Sequence, residues 1–434
     1  MYVRKIYIDS IRRLIGKDVI KIITGMRRVG KSCIMRQLID ELKANGVKTG
    51  NILYIDKELL EWDSISDYRK LAKEVERHFG AKSGRKYLFI DEVQEISQWE
   101  KAILSLSRQT GMDITLTGSN AHMLSSELAT LLSGRYMEFS VYSFGLSELM
   151  AYGKQGLKET LSVGSVHSAR DNSSSSLSVS SARDNSLPSP HENAKEVFRR
   201  YLRTGGLPGI QHLDDDENLA YQYIGGIYDT IILKDVVRRY QIRNVTLLEN
   251  LTRFIFDNIG NIVTAKRIAD YMKSQKISIG VETVLTYIAY LRDALLLYKV
   301  RRYDLKGKRH LEIYEKYYLS DIGLRHALLG YREGDISGLL ENIVYLELLR
   351  RGYSVSIGKW DNLEIDFVAE RDNEKMYLQV AYLLADGKTV EREAKPLRAI
   401  SDNYPKYILS MDELFGSDID GIKRVNLIEW LLSN

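Results

Sequence analysis

The chain has 434 residues, 28% charged and 44% apolar, a balance that suits packed globular domains and excludes disordered or collagen-like polymers. The length leaves room for about three domains. The net charge of +4 is too small to name a partner, and the single cysteine, Cys33, excludes an internal disulfide framework and fits a reducing compartment.

The first residues alternate apolar and charged side chains with no uninterrupted apolar core, so no secretory leader is expected. Nowhere do about 18 apolar residues run together, so no ordinary membrane span is expected either. The expected location is the cytoplasm, without a membrane partner.

Through residue 150, short β-branched runs alternate with helical spacing. Val19–Thr24, Asn51–Asp56, Lys86–Asp91, Met112–Thr117 and Arg135–Val141 read as strands. That rhythm predicts an α/β domain with a largely parallel sheet.

GMRRVGKS, residues 25–32, follows the first strand and opens a helix. Its G-x-x-x-x-G-K-[ST] spacing is a phosphate cradle. Gly25 and Gly30 let backbone N–H groups turn inward without a Cβ clash. Lys31 brings a point charge to the β/γ oxygens, and the Ser32 hydroxyl suits Mg²⁺. The helix N-terminus adds partial positive charge. Arg27, Arg28 and Cys33 belong to the same nucleotide-contacting stretch.

KYLFIDEVQ, residues 86–94, delivers two acids at the end of an apolar strand. Asp91 is placed to hold Mg²⁺ through water, and Glu92 to orient and polarise an attacking water. The next strand ends in Thr117, Ser119 and Asn120. Asn120 reads either as a γ-phosphate sensor or as a helix cap. Arg135, in SGRYMEF, reads either as an arginine finger or as an exposed structural residue.

Residues 160–194 are serine-rich and repeat SARDNS at 168–173 and 181–186. Such a segment cannot bury a core and reads as a disordered insertion. Helical spacing resumes over 195–240, broken by GGLPG at 205–209.

From Lys234 to Lys316 there are 17 Lys or Arg against nine Asp or Glu, net +8, so the remainder of the +4 chain is −4. Within 241–330 a helix, a turn, a second helix and a basic hairpin follow one another. This order predicts a winged helix-turn-helix, with Lys306, Lys308 and Arg309 on the phosphates of duplex DNA. The second helix is rich in Tyr, Leu and Ile, which leaves a lid or protein-contact role open.

Residues 335–434 place Glu341 on a helix, Asp366 on a strand-like run and Gln379 on the next. The spacing resembles the PD-(D/E)xK nuclease core, whose chemistry needs acids for Mg²⁺ and a lysine for the attacking hydroxide. Here the E-x-K position reads Gln379-Val380-Ala381, and Lys388 is the nearest lysine beyond it. A retained nuclease-like fold without nuclease activity is expected.

In order, GMRRVGKS, YLFIDEVQ, LTGSN, SGRYMEF and FGLSELM resemble AAA-superfamily ATPases of bacteria and archaea that carry a C-terminal domain of unknown function. These are similar to the signalling (STAND-like) branch of P-loop NTPases. The resemblance continues through YLRTGGLPG, YDTIILKDVV, KYYLSDIGLR, LLENIVYLELLRRG and NLEIDFVAE, and so covers nearly the whole chain outside 160–194.

It implies an AAA-type P-loop core over 1–159 and a lid over 195–240, with Pro208 near the nucleotide base. It also implies a homo-oligomer in which Arg135 acts across an interface. The expected function is a Mg²⁺-dependent ATPase that switches or drives a winged-helix domain and a degenerate nuclease-like domain, with DNA as a candidate partner. The alternative is a nucleotide-dependent signalling switch or protein-binding scaffold with negligible turnover.

Overall fold

The computed structural model describes residues 2–80, 82–109, 111–121, 132, 134–153, 190–213, 216–413 and 418–433. All five N-terminal strands form: β1 (Ile20–Thr24), β2 (Ile52–Asp56), β3 (Lys86–Asp91), β4 (Met112–Gly118) and β5 (Tyr136–Ser140). They pair in parallel in the order β2-β3-β4-β1-β5. Every position of β1 and β4 is buried, as befits central strands covered on both faces. Ile22 and Ile23 alternate between two cores, one shared with Leu71, Val75 and Ile103, the other with Ile34, Met35 and Leu38. Because the strands are parallel, the loops after β1, β3 and β4 meet at one edge of the sheet.

Residues 160–189 of the serine-rich segment lie outside the described residues. Residues 190–194, expected to belong to that insertion, instead open the helix Pro190–Thr204. Proline suits the first turn of a helix, where its missing N–H costs nothing.

The remaining strands form one eight-stranded sheet in the order β13-β12-β11-β10-β9-β7-β8-β6. They are β6 (Ile262–Val263), β7 (Leu297–Asp304), β8 (Arg309–Leu319), β9 (Ser354–Trp360), β10 (Leu363–Arg371), β11 (Glu374–Val380), β12 (Lys406–Ser410) and β13 (Ile422–Asn426). The basic hairpin forms as expected, from β7 and β8. β7 then pairs in parallel with β9, Arg302 opposite Ile357, so this sheet runs without a break from the hairpin into the C-terminal strands. One apolar cluster likewise continues from Ile23 and Leu38 through Ile224 and Leu251 to Tyr318, Leu340 and Phe367.

Arg4, just before the first helix (Lys5–Arg12), fastens the start of the chain to the edge where the loops meet. Its guanidinium grips both Glu148 oxygens (2.7 and 2.8 Å) and donates to the carbonyls of Val29 and Tyr142, each at 2.9 Å. Removing one partner of such a buried pair leaves an uncompensated charge. Arg4→Met is therefore expected to cost about 3–5 kcal/mol in urea unfolding. A loss below about 0.5 kcal/mol, usual for surface substitutions, would contradict this role.

Candidate functional site

β1 ends at Thr24 and the helix Lys31–Ala44 begins seven residues further on. The loop between them closes only because of its glycines. A Cβ on Gly25, whose φ is 152°, would sit 2.3 Å from the Val141 carbonyl oxygen, and Gly30 caps the helix with φ 99°. Arg28 also takes a left-handed φ of 66°. Successive turns of this kind aim backbone N–H groups into an anion-sized hollow.

Lys31 is buried. Its ammonium donates to the carbonyls of Gly25 (3.0 Å) and Met26 (3.1 Å) and lies 3.4 Å from Glu92 Oε1. Asp91 ends β3 and Glu92 follows it, both nearly inaccessible, with Glu92 at a left-handed φ of 53°. A non-glycine residue in that region stores local strain, a feature that clusters at functional sites. β4 supports both acids. Thr117 Oγ1 donates to Asp91 and accepts from the Glu92 amide (3.0 Å), while Ser119 Oγ donates to Glu92 Oε2 (2.9 Å). Burial alone would raise the Glu92 pKa. The nearby Lys31 and Arg27 charges, with the Ser119 and Gln94 hydrogen bonds, hold it down at about 2, so it is an anion at neutral pH.

A cavity of 880 Å³ opens over this loop, within the range of small-molecule sites. Arg27, Arg28, Gly30, Lys31, Ser32, Cys33 and Glu92 line one end. The other end is aromatic, with Tyr2, Phe144, Tyr152 and His212 beside Pro208. The Tyr2 and Phe144 rings meet edge to face at 5.5 Å. The family resemblance implied Pro208 near the nucleotide base, and Pro208 lines this cavity, but the aromatic end was not anticipated. Its rings come from three distant segments, and no local pattern joins them. The oxygen-only set of Ser32 and Asp91 suits a hard cation such as Mg²⁺.

Two further candidates lie elsewhere. Asn120 is buried and lines a neighbouring cavity with Gln94 and Arg239. Arg135 is exposed just before β5, at the opposite end of the sheet from the phosphate loop. β1 spans five residues, about 16 Å of strand, so Arg135 does not reach the cavity of its own chain.

Lys306, Lys308 and Arg309 come together, exposed, at the tip of the β7–β8 hairpin, where Lys306 lies 3.2 Å from Asp361. Glu341, on the helix Ile336–Arg350, and Asp366, on β10, also come together, beside a lysine from an unexpected strand. Lys316 on β8, nearly inaccessible, sits 3.0 Å from Glu341, 2.9 Å from Glu364 and 3.6 Å from Asp366. Lys388, the sequence candidate, is exposed.

Gln379 accepts from the Asp366 amide (2.7 Å) and donates to Glu393 (3.1 Å). A glutamate could not make both bonds. With an amide at Gln379 and Lys316 already paired with the acids, these residues offer a divalent cation less free negative charge than a set of three acids would. Burial and the neighbouring Glu341 charge push the Asp366 pKa up to about 8 against the pull of Lys316.

Lys31→Ala is expected to abolish ATP binding by calorimetry, whereas Glu92→Gln should keep binding and lose turnover. Unchanged hydrolysis in both variants would remove the assignment of this site. Lys316→Met would leave its acids buried without a counter-charge, at a cost of about 3–5 kcal/mol. Carboxylates raised above their unfolded pKa lose stability as pH rises through the folded value, so urea unfolding should show a larger loss at pH 8 than at pH 5. Equal losses at the two pH values would contradict the cluster's charge balance.

Comparison with known proteins agrees with this geometry. A family model described as an AAA domain matches residues 17–150, and a model for a domain of unknown function, DUF8612, matches residues 195–335. An uncharacterized protein of Haemophilus influenzae is 32% identical over 100% of this chain and 99% of its own length. An uncharacterized protein of Methanocaldococcus jannaschii is 28% identical, over 88% of this chain and 79% of its own. Among solved structures, a Walker-type ATPase of Pyrococcus abyssi superposes with a TM-score of 0.50 at 15% identity, over 76% of this chain and 96% of its own, which is a likeness of fold. The loop at Gly25–Ser32, the parallel sheet and these matches make the N-terminal part an AAA-type P-loop domain, and the chain belongs to the same family as the Haemophilus protein.

Proposed function

We propose that the chain binds MgATP over Gly25–Ser32 and hydrolyses it. The observation that carries this reading is Glu92, an anion held in a strained turn at the cavity, 3.4 Å from the phosphate-loop lysine. On binding, Lys31 exchanges the Gly25 and Met26 carbonyls for phosphate oxygens. Ser32 and Asp91 hold Mg²⁺, which neutralises charge on the β and γ oxygens when bound. Withdrawing Lys31 from Glu92 raises the Glu92 pKa and frees it to orient and polarise water. The aromatic end beside Pro208 receives the base. Arg135 serves a neighbouring protomer in a homo-oligomer. A cytoplasmic location agrees with the single cysteine, and no helix among the described residues is long and apolar enough to cross a membrane.

The hydrolysis cycle switches or drives the C-terminal half, which we read as a winged helix over 241–330 and a nuclease-like domain without nuclease activity. The order of three helices and a hairpin with the third strand β6 supports the first. The occupied Glu341–Asp366–Lys316 cluster supports the second. A second reading, a nucleotide switch with negligible turnover, is favoured by one fact. Glu92 stays a poor base as long as Lys31 and Arg27 remain beside it. Steady-state phosphate release with and without duplex DNA separates the two.

DNA, on this proposal, binds mainly through phosphates at the hairpin tip. Affinity should fall with a log K against log salt slope of roughly −3 to −5. Charge reversal at Lys306, Lys308 and Arg309 should weaken all sequences alike and flatten the slope. Salt-insensitive or absent binding would turn the module into a lid or scaffold.

A further inference from the structure

The phosphate loop is gripped from the other half of the chain. Arg27 makes a two-pronged pair with Asp235, Nε to Oδ2 at 2.6 Å and Nη2 to Oδ1 at 2.9 Å. Asp235 is only 1% exposed and Arg27 8%. Asp235 belongs to Ile231–Arg238, a π-helical continuation of the helix Glu217–Thr230 that lines the cavity. Such wide windings are rare and concentrate at functional positions. The preceding residue, Lys234, lies 3.2 Å from Glu95, in the turn that follows Glu92. Two successive residues of one helix therefore hold both loops of the nucleotide site.

The same helix ends at Tyr240. Its hydroxyl donates to Asp293 at 2.8 Å, and its ring stacks on Tyr290 at 3.7 Å with an interplanar angle of 12°. Both partners lie on the helix Val281–Asp293, the second helix of the proposed winged-helix module.

Arg27 also faces Glu58 at 3.4 Å and Glu92 at 3.9 Å, so it answers more acid than one guanidinium can neutralise. An incoming triphosphate competes for that charge. If Arg27 turns to the phosphate, Asp235 is left buried and unpaired, a strongly unfavourable state, and the helix carrying it has to shift. If Asp235 keeps Arg27, it fixes the guanidinium that the phosphate meets. In both cases the phosphate is felt at Asp235.

We propose that Asp235 is a positioning residue that sets Arg27 in the phosphate loop, and that the stretch from Asp235 to Tyr240 carries the nucleotide state to the helix Val281–Asp293. This rests on the reading of the cavity as a nucleotide site. Coupling between two sites is reciprocal, so whatever binds that helix changes nucleotide affinity by the same factor.

The test is hydrogen–deuterium exchange of the full chain with and without Mg²⁺ and ATPγS, with ATPγS binding measured by calorimetry on the same samples. In the wild type, exchange rates of amides in 281–293 should change by about fivefold or more on binding, the lower end of typical couplings. Tyr240→Ala, remote from the cavity, should bind ATPγS within about twofold of wild type, with the change at 281–293 lost. Asp235→Asn should lose the change as well.

Wild-type binding with no change at 281–293, or a change that survives in both variants, overturns the inference and leaves the nucleotide site standing. An Asp235→Asn variant that is merely less stable, with its response intact, overturns the positioning role. Absence of ATPγS binding to the wild type overturns the nucleotide site and this inference together.

Discussion

The Glu92 carboxylate, held between Lys31 and Arg27, is the contact on which the rest of the site depends. It forms because the parallel sheet ends β1, β3 and β4 at one edge. β4 lies between the other two strands and reaches both acids with Thr117 and Ser119. Without phosphate, the loop's cations are satisfied by protein oxygens: the carbonyls of Gly25 and Met26, Glu92 and Asp235. On the proposed function, a bound phosphate competes with those partners for Lys31 and Arg27. Through that competition one ligand would bear on both Glu92 and the helix behind it.

Arg27 and Asp235 tie the two halves of the chain by the same physics. Arg4 and Lys316, also nearly inaccessible, make comparable pairs within one half each, with Glu148 and with Glu341. Buried pairs of this kind add little net stability compared with apolar packing, but breaking one is costly, which makes them effective at fixing a single arrangement. In the C-terminal sheet Lys316 binds together β8, β10 and the helix Ile336–Arg350.

The N-terminal fold and the phosphate loop were legible because their signals are local. A strand, a glycine-spaced loop and a helix are contiguous, and Asp91 and Glu92 close a single apolar run. Asp235 stands in the stretch YDTIILKDVV, but its pairing with Arg27, 208 residues away, was not legible from any local pattern. Lys316 was hidden for the same reason. The sequence shows an alanine at 381, and nothing local reveals that a strand of the preceding hairpin turns a lysine onto the acids. Ser119 was visible as a polar residue just after β4, but its hydrogen bond to Glu92 depends on the turn that follows the strand. The aromatic end of the cavity required Tyr2, Phe144 and His212 to meet, which only tertiary packing decides.

The measurement that bears most directly on the central claim is a crystal structure of the wild-type chain with Mg²⁺ and ATPγS. The β and γ phosphates are expected in the loop Gly25–Ser32, with Lys31 moved off the Gly25 and Met26 carbonyls and the base between Pro208 and the Tyr2–Phe144 end. A nucleotide bound elsewhere, or an empty loop at saturating ligand, would contradict it.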